Sequence, residues 1–121
     1  MNNIEALYQY CQNKKGVTEH FPFDEDVLVF KVAGKIFLLT SLKGWETGKQ
    51  TLNLKCNPDY AQELRATYHS VEPGYHMNKK HWNTIRIYEN EIPLQLIKDL
   101  IDHSYDLVVN SLTKKQREIF Q

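Results

Sequence analysis

Cysteine is scarce in this 121-residue sequence, which has only Cys11 and Cys56 and no CxxC or other framework spacing. That scarcity argues against a disulfide-stabilised secreted domain and is typical of proteins that work in a reducing cytoplasm. The sequence also lacks a run of eighteen apolar residues and an N-terminal basic stretch followed by a hydrophobic segment. We therefore expect a cytoplasmic protein with no membrane association and no secretory signal.

Motifs of the familiar enzyme classes are absent as well. The sequence contains no GxGxxG, P-loop, GxSxG, HExxH or EF-hand pattern. Net charge is absent too, because 15 basic residues balance 15 acidic ones. A neutral chain argues against indiscriminate binding to nucleic acid. We expect a protein that is not an enzyme and that carries no cofactor.

The neutral total conceals a segregated pattern of charge. Residues 31–86 hold nine basic and four acidic side chains, a net charge of +5. Residues 1–30 carry −3, residues 87–113 carry −4, and residues 114–121 carry +2. The basic middle of the chain is therefore the part in which contacts with an anionic partner are expected.

Three helices are predicted from apolar spacing and capping signals. Ile4, Leu7 and Cys11 lie on one stripe of a first helix. A second helix is expected to start at Pro58, since proline suits the first helical position, and the longest helix is expected to start at Pro93. An apolar content of 41% is enough for these helices to cover a real core.

Alternating and β-branched runs predict several antiparallel strands. They lie at 27–32, 35–40, 51–56 and 83–88, with the two-residue turn Ala33-Gly34 between the first pair. Residues 41–50 are expected to form a long polar loop and residues 71–74 a turn. Helices separated by hairpins predict a single α+β domain over residues 1–121, with helices packed on one face of an antiparallel sheet. We expect function on the other face, lined by polar or aromatic side chains.

The densest set of candidate binding residues lies within residues 75–86. The candidates for DNA contact are His76, Asn78, Lys79, Lys80, His81, Trp82 and Arg86, joined by Lys49 from the preceding loop. Lysine and arginine bind phosphates, asparagine bonds to base edges or backbone, and aromatic rings stack on bases. This mixture indicates a nucleic-acid surface. On the residues alone, a solvated turn and a site for another anionic ligand stay open as alternatives.

Metal binding and thiol chemistry are less well supported by the residues. His76 and His81 have H-x4-H spacing, and the lysines between them repel a cation, so we expect no metal site. Cys56 precedes a helix N-terminus, where the pKa of a thiol falls. An isolated cysteine at a strand end is nevertheless more often a buried small apolar residue, and we predict no catalytic residue.

Five ordered stretches of the sequence match the pattern of a known family. They are Lys15–Phe23, Val29–Val32 with Gly34–Lys35, Asn53–Pro58, Pro73–Thr84 and Asp102–Val108. On these stretches the chain resembles the MmcQ/YjbR family of small bacterial proteins. The resemblance implies an α+β, frataxin-like fold with hairpins described as a double wing, and a role in binding DNA. It does not imply frataxin-like iron binding, since the first helix offers only Glu5 where that activity needs an acidic ridge.

The main hypothesis is a DNA-binding domain that is a monomer rather than an obligate oligomer. Lys79, Lys80 and Arg86 are expected to contact phosphates, with Lys49 added from the loop. We call residues 76–82 the signature loop. Its other candidate residues, His76, Asn78, His81 and Trp82, are expected to shape or read the DNA groove.

Two other hypotheses remain. One is a small-molecule or peptide-binding module, or an enzyme, with a pocket in which His76, His81 and Trp82 converge with Tyr75 and His103. The other is structural, with the signature loop fixing a helix to the sheet.

Overall fold

The computed structural model describes residues 3–74 and 77–120. The strands are β1 (Val17–His20), β2 (Val27–Val32), β3 (Lys35–Ser41), β4 (Thr51–Lys55), β5 (Val71–Pro73) and β6 (Trp82–Arg86). The helices are α1 (Ile4–Gln12), α2 (Leu42–Thr47), α3 (Pro58–Thr67), α4 (Leu94–Ser111) and α5 (Lys114–Phe120), with a short 3₁₀ helix at Ile87–Glu89. Within the described residues the strands form one antiparallel sheet in the order β1-β2-β3-β4-β6-β5. No helix in this part of the chain is long and apolar enough to cross a membrane.

Local signals place the β2–β3 hairpin and the start of α3 where the sequence predicted them. Ala33 and Gly34 both have positive φ, 50° and 78°, which is the backbone that a two-residue hairpin turn requires. Asn57 caps α3, because its Oδ1 accepts hydrogen bonds from the backbone N–H groups of Asp59 (3.0 Å) and Tyr60 (3.3 Å). Both predictions are confirmed.

The main core lies between the sheet and helices α1, α3 and α4. From the strands it buries Leu28, Phe30, Val32, Phe37, Leu38, Leu52, Leu54, Val71 and Ile85. From the helices it buries Leu7, Cys11, Ala61, Leu64, Ile97, Leu100, Ile101 and Val108. We call this side of the sheet the helix side. The predicted α+β class, with helices packed on one face of an antiparallel sheet, is confirmed.

A buried hydroxyl ties α4 to two strands of the helix side. Ser104 is fully buried; its Oγ donates a hydrogen bond to the carbonyl of Phe37 (2.6 Å) and accepts one from the N–H of Lys55 (2.9 Å). A polar group in an apolar core must be paired to avoid a desolvation cost, and here one side chain satisfies two backbone groups. This contact fixes the position of α4 along the sheet.

The prediction of a loop over residues 41–50 is wrong, because residues 42–47 form α2. Ser41 caps this helix through a hydrogen bond from the N–H of Gly44 (3.3 Å) to its Oγ. Gly48 ends it in the left-handed conformation, with φ 78°. A helix of six residues has too few apolar positions for its periodicity to be recognised in the sequence.

The prediction of a turn at residues 71–74 is also wrong, because Val71–Pro73 forms the edge strand β5, paired with β6. Proline is tolerated there because an edge strand has N–H positions that pair with nothing. The predicted strand 83–88 ends at Arg86, where the chain enters the 3₁₀ helix.

Candidate nucleic-acid interface

The side of the sheet turned away from the helices carries most of the candidate residues. Strand alternation places on it Thr18, His20, Val27, Val29, Lys31, Ile36, Leu39, Thr51, Asn53, Lys55, Glu72, Trp82, Thr84 and Arg86. We call this surface the open face. Its centre is apolar, since Val29, Leu39 and Trp82 bury one another with Met77 packed alongside. The expectation of a polar or aromatic surface is therefore wrong for the middle of this face and correct for its margin.

The loop that leads into β6 forms a tight turn that presents two lysines. Within the signature loop, here residues 77–82, the Oδ1 of Asn78 accepts a hydrogen bond from the N–H of Lys80 (2.9 Å). The carbonyl of Asn78 accepts from the N–H groups of His81 (3.1 Å) and Trp82 (3.0 Å). Lys79 and Lys80 are exposed, and neither forms a salt bridge with another described residue. The turn therefore holds two cationic side chains out toward solvent.

Arg65 of α3 fixes this loop from behind. Its Nε donates to the Oδ1 of the buried Asn83 (2.7 Å), and its Nη2 donates to the carbonyls of Lys79 and Trp82. Gly74 also contacts this loop, since its N–H donates to the carbonyl of Trp82 (2.8 Å). A Cβ at position 74 would lie 2.8 Å from the Cβ of Trp82, so only glycine fits without a shift of the backbone.

The part played by Arg65 was not predicted, because its partners lie fourteen to eighteen residues further along the chain. The same contacts attach the signature loop to α3, as the structural hypothesis predicted. These contacts use the backbone of the loop and not the side chains of Lys79 and Lys80.

Arg86 is placed differently from the two loop lysines. Its guanidinium forms ion pairs with Glu72 (2.6 Å) and Glu89 and donates to the carbonyl of His69, and only 17% of the side chain is exposed. The hydrogen bond with Glu89 is the main cause that raises the pKa of Arg86 above its ordinary value. Its charge is therefore compensated within the molecule.

Two other predicted contact residues are not exposed on the signature loop. Trp82 is buried, and Lys49 lies elsewhere on the fold. Trp82 is 9% exposed and belongs to the apolar centre of the open face, so its ring shapes the surface from within. The Nζ of Lys49 lies 4.9 Å from the ring centre of Tyr88 in the 3₁₀ helix. His76 and Tyr75 lie outside the described residues.

His103 does not join the pocket predicted around His76, His81 and Trp82. His103 belongs to α4 on the helix side, where its Nε2 accepts a hydrogen bond from the N–H of Asn57 (3.2 Å) and its ring meets that of Tyr60 edge-on. Burial lowers the pKa of His103, which agrees with a neutral ring acting as acceptor. Trp82 faces the opposite side of the sheet, so these side chains cannot converge.

Thiol and metal chemistry find no support in the described part of the chain. Cys11 and Cys56 are free and buried, and burial raises the pKa of Cys11 to about 12 and that of Cys56 to about 11. Thiols with such pKa values are poor nucleophiles near neutral pH. Among residues 3–74 and 77–120, no three His, Cys, Asp or Glu side chains are grouped so that they could hold a metal ion.

A groove on the open face was not predicted from the sequence. It has a volume of about 360 Å³ and is lined by Phe23, Val27, Leu39, Thr40, Ser41, Thr51, Asn53 and Met77. Met77 belongs both to the groove and to the signature loop, so the two features adjoin. The lining comes from three strands and two loops that are distant in sequence, and no local pattern indicates that they meet.

Comparison with known proteins decides the family. A model of the YjbR family matches residues 12–107. The chain belongs to the YjbR family. Escherichia coli O157:H7 YbdF is 42% identical over 99 residues, which cover 81% of this chain and 77% of that protein. YjbR of Escherichia coli strain K12 is 32% identical over 116 residues, 96% of this chain and 95% of that protein.

Solved structures of similar proteins have the same architecture. The crystal structure of Deinococcus radiodurans DR2400, a DUF419 domain, has a TM-score of 0.88 and 34% identity and covers 98% of this chain and 87% of that one. A Pseudomonas syringae protein has a TM-score of 0.71 and 26% identity, with coverage of 87% and 97%. The family resemblance drawn from the sequence is confirmed, and so is the α+β fold class.

Proposed function

We propose that this member of the YjbR family binds DNA through the open face and the signature loop. The observation that carries the proposal is a group of four lysines toward one end of the open face, Lys31, Lys55, Lys79 and Lys80, which also form no salt bridge with any described residue. We call this group the basic rim. Unpaired lysines contact phosphates without competition from neighbouring carboxylates.

The strand register supports a common location for the basic rim. Lys31 of β2 pairs with Ile36 at the start of β3, and Lys55 at the end of β4 pairs with Trp82 at the start of β6. Because Leu38 pairs with Leu54 between these strands, Lys31 and Lys55 lie toward the same end of the sheet. The signature loop enters β6 at that end as well. The acidic turn at 24–26 lies at the opposite end, where β2 begins.

Within this proposal the predicted contact residues have different parts. Lys79 and Lys80 contact phosphates, while Asn78, His81 and Trp82 shape the surface that presents them. Arg86, whose charge is met by Glu72 and Glu89, positions β5 and the 3₁₀ helix against β6. Lys49, held over Tyr88, is peripheral to the basic rim.

The proposal is tested by titrating labelled duplex and single-stranded DNA at several salt concentrations. Four phosphate contacts give a log–log salt slope of about −3.6 on duplex and about −2.8 on single-stranded DNA. We expect the double variant K79A/K80A to reduce either slope by about half, because two of the four contacts are removed.

The matched control is K114A/K115A, which removes two adjacent exposed lysines from α5. It should leave the slope unchanged. Absence of binding at low salt, or binding that K79A/K80A and the control change equally, would contradict the proposal.

A further inference from the structure

The groove on the open face has the size and lining of a site for a flat ring. Its volume of about 360 Å³ lies at the lower end of the range for small-ligand pockets, about 300–1,000 Å³. Val27, Leu39 and Met77 supply apolar walls, and Phe23 supplies an aromatic ring that is 65% exposed. An exposed phenylalanine beside an apolar slot offers a stacking surface for a planar ligand.

The polar part of the lining favours a ring that carries hydrogen-bond acceptors. The Oδ1 of Asn53 accepts a hydrogen bond from the Oγ1 of Thr84 (2.6 Å), which orients the amide. Its Nδ2 donates to no other group within the described residues, and Asn53 lines the groove. A purely aliphatic ligand would leave this donor without a partner, whereas the edge of a nucleobase offers acceptors to it.

Charge along the open face sets the direction in which such a ligand enters. At one end of the groove the carboxylate of Asp26 accepts hydrogen bonds from the Oγ of Ser41 (2.7 Å) and the N–H of Lys43 (2.8 Å). These bonds lower its pKa, so this end stays anionic and repels phosphate. At the other end, Lys55 lies two residues from Asn53 on the same strand and face, about 7 Å away.

Resting on the DNA-binding function proposed above, we propose that the groove receives one unstacked base of a single-stranded DNA, with its phosphates on the basic rim. In a duplex the bases are stacked and paired, so none can enter a slot on a sheet face. A single strand can turn a base outward and stack it on an aromatic side chain. Met77 joins the groove to the signature loop, so one strand can contact both features.

The test compares Phe23→Ala with the control Phe21→Ala. Phe21 is also exposed, at 47%, and lies two residues earlier, but it does not line the groove. We measure fluorescence anisotropy of a labelled single-stranded oligonucleotide, a strand of equal length with abasic sugars, and the corresponding duplex. We expect F23A to weaken binding of the intact strand about tenfold or more, because stacking of one base is lost. We expect F21A to bind like the wild type, and F23A to leave binding of the abasic strand unchanged.

The outcomes separate this inference from the proposal on which it rests. If K79A/K80A weakens binding but F23A and F21A both bind like the wild type, the groove does not hold a base and the inference is overturned while DNA binding stands. Tighter binding to the duplex than to the single strand overturns it too, as does a nucleoside monophosphate that binds as tightly as the strand. If no DNA binds at low salt, both fail.

Discussion

The two faces of the sheet differ in how their side chains are satisfied. On the helix side, strand side chains pack against α1, α3 and α4, and polar groups such as Ser104 are paired within the core. On the open face, a small apolar centre packs against Val27 and Ile36 of the strands and Met77 of the signature loop, and a groove lies beside it. Stability accounts for the first arrangement. The groove on the open face is not explained by packing alone.

Paired charges occur on both faces, as Arg86 with Glu72 shows for the open face, and the basic residues of the signature loop differ from them. On the helix side, Asp102 of α4 accepts hydrogen bonds from the hydroxyl of Tyr10 (2.7 Å) and from the ammonium of Lys14, and so joins α4 to α1. Around the open face, Lys79 and Lys80 have no carboxylate partner among the described residues. Charges that a fold uses for itself are paired, and the unpaired ones are the better candidates for contact with a partner.

The largest expected difference is between two neighbouring leucines of β3. Leu38 is fully buried on the helix side, and Leu39, 6% exposed, faces the groove on the other side. We expect Leu38→Ala to lower the free energy of unfolding by about 4 kcal/mol, because it opens a cavity in a close-packed core. Leu39→Ala should cost about 2 kcal/mol, since water can fill the space beside the groove. Urea denaturation measures the free energy of unfolding of both variants. Equal losses would mean that the open face is as tightly packed as the helix side, which contradicts the description of the two faces.

A smaller difference is expected between two hydrogen-bonding side chains, Ser104 and Asn53. Ser104→Ala leaves the carbonyl of Phe37 and the N–H of Lys55 without their buried partner, and we expect a loss of about 2 kcal/mol. Asn53→Ala removes a half-buried partner of Thr84, which water can replace from the groove side, and should cost about 0.5 kcal/mol. Thermal and urea unfolding provide the measurement, and the reverse order of the two losses would contradict the description of the faces.

The smallest expected effect on stability near neutral pH comes from the two thiols of the helix side, Cys11 and Cys56. Since burial raises the pKa of Cys56 to about 11 and that of Cys11 to about 12, iodoacetamide at pH 8 should label neither in the folded protein. The unfolded chain loses these protons near pH 9, before the folded chain does, so stability should fall as pH rises from 9 toward 11. Mass spectrometry and unfolding measurements check both; rapid labelling of Cys56 would show that its site is open.

Much of the helix side could be predicted from the sequence because its signals are local. The Ala33-Gly34 turn and the start of α3 at Pro58 each depend on neighbouring residues, and both lie where predicted. The strand β5 was missed because its three residues become a strand only by pairing with β6.

Less of the candidate interface could be predicted, because its parts come from distant segments. Local composition identified Lys79 and Lys80 correctly as an exposed basic pair. It did not reveal that Glu72 and Glu89 compensate Arg86, or that Arg65 holds the loop, since these contacts need the folded sheet. The groove forms where Phe23 and Met77 come together with residues of three strands. No spacing of residues in the sequence predicts that arrangement.

The most direct test of the difference between the faces is a map of backbone amide shifts in ¹⁵N-labelled protein while single-stranded DNA is added at low salt. We expect the shifts to change along the open face, at Lys31, Asn53, Lys55 and residues 77–80, with little change along α4. Changes concentrated on α1 and α4, or no changes at a DNA concentration that saturates the anisotropy signal, would contradict the assignment of the open face as the binding surface.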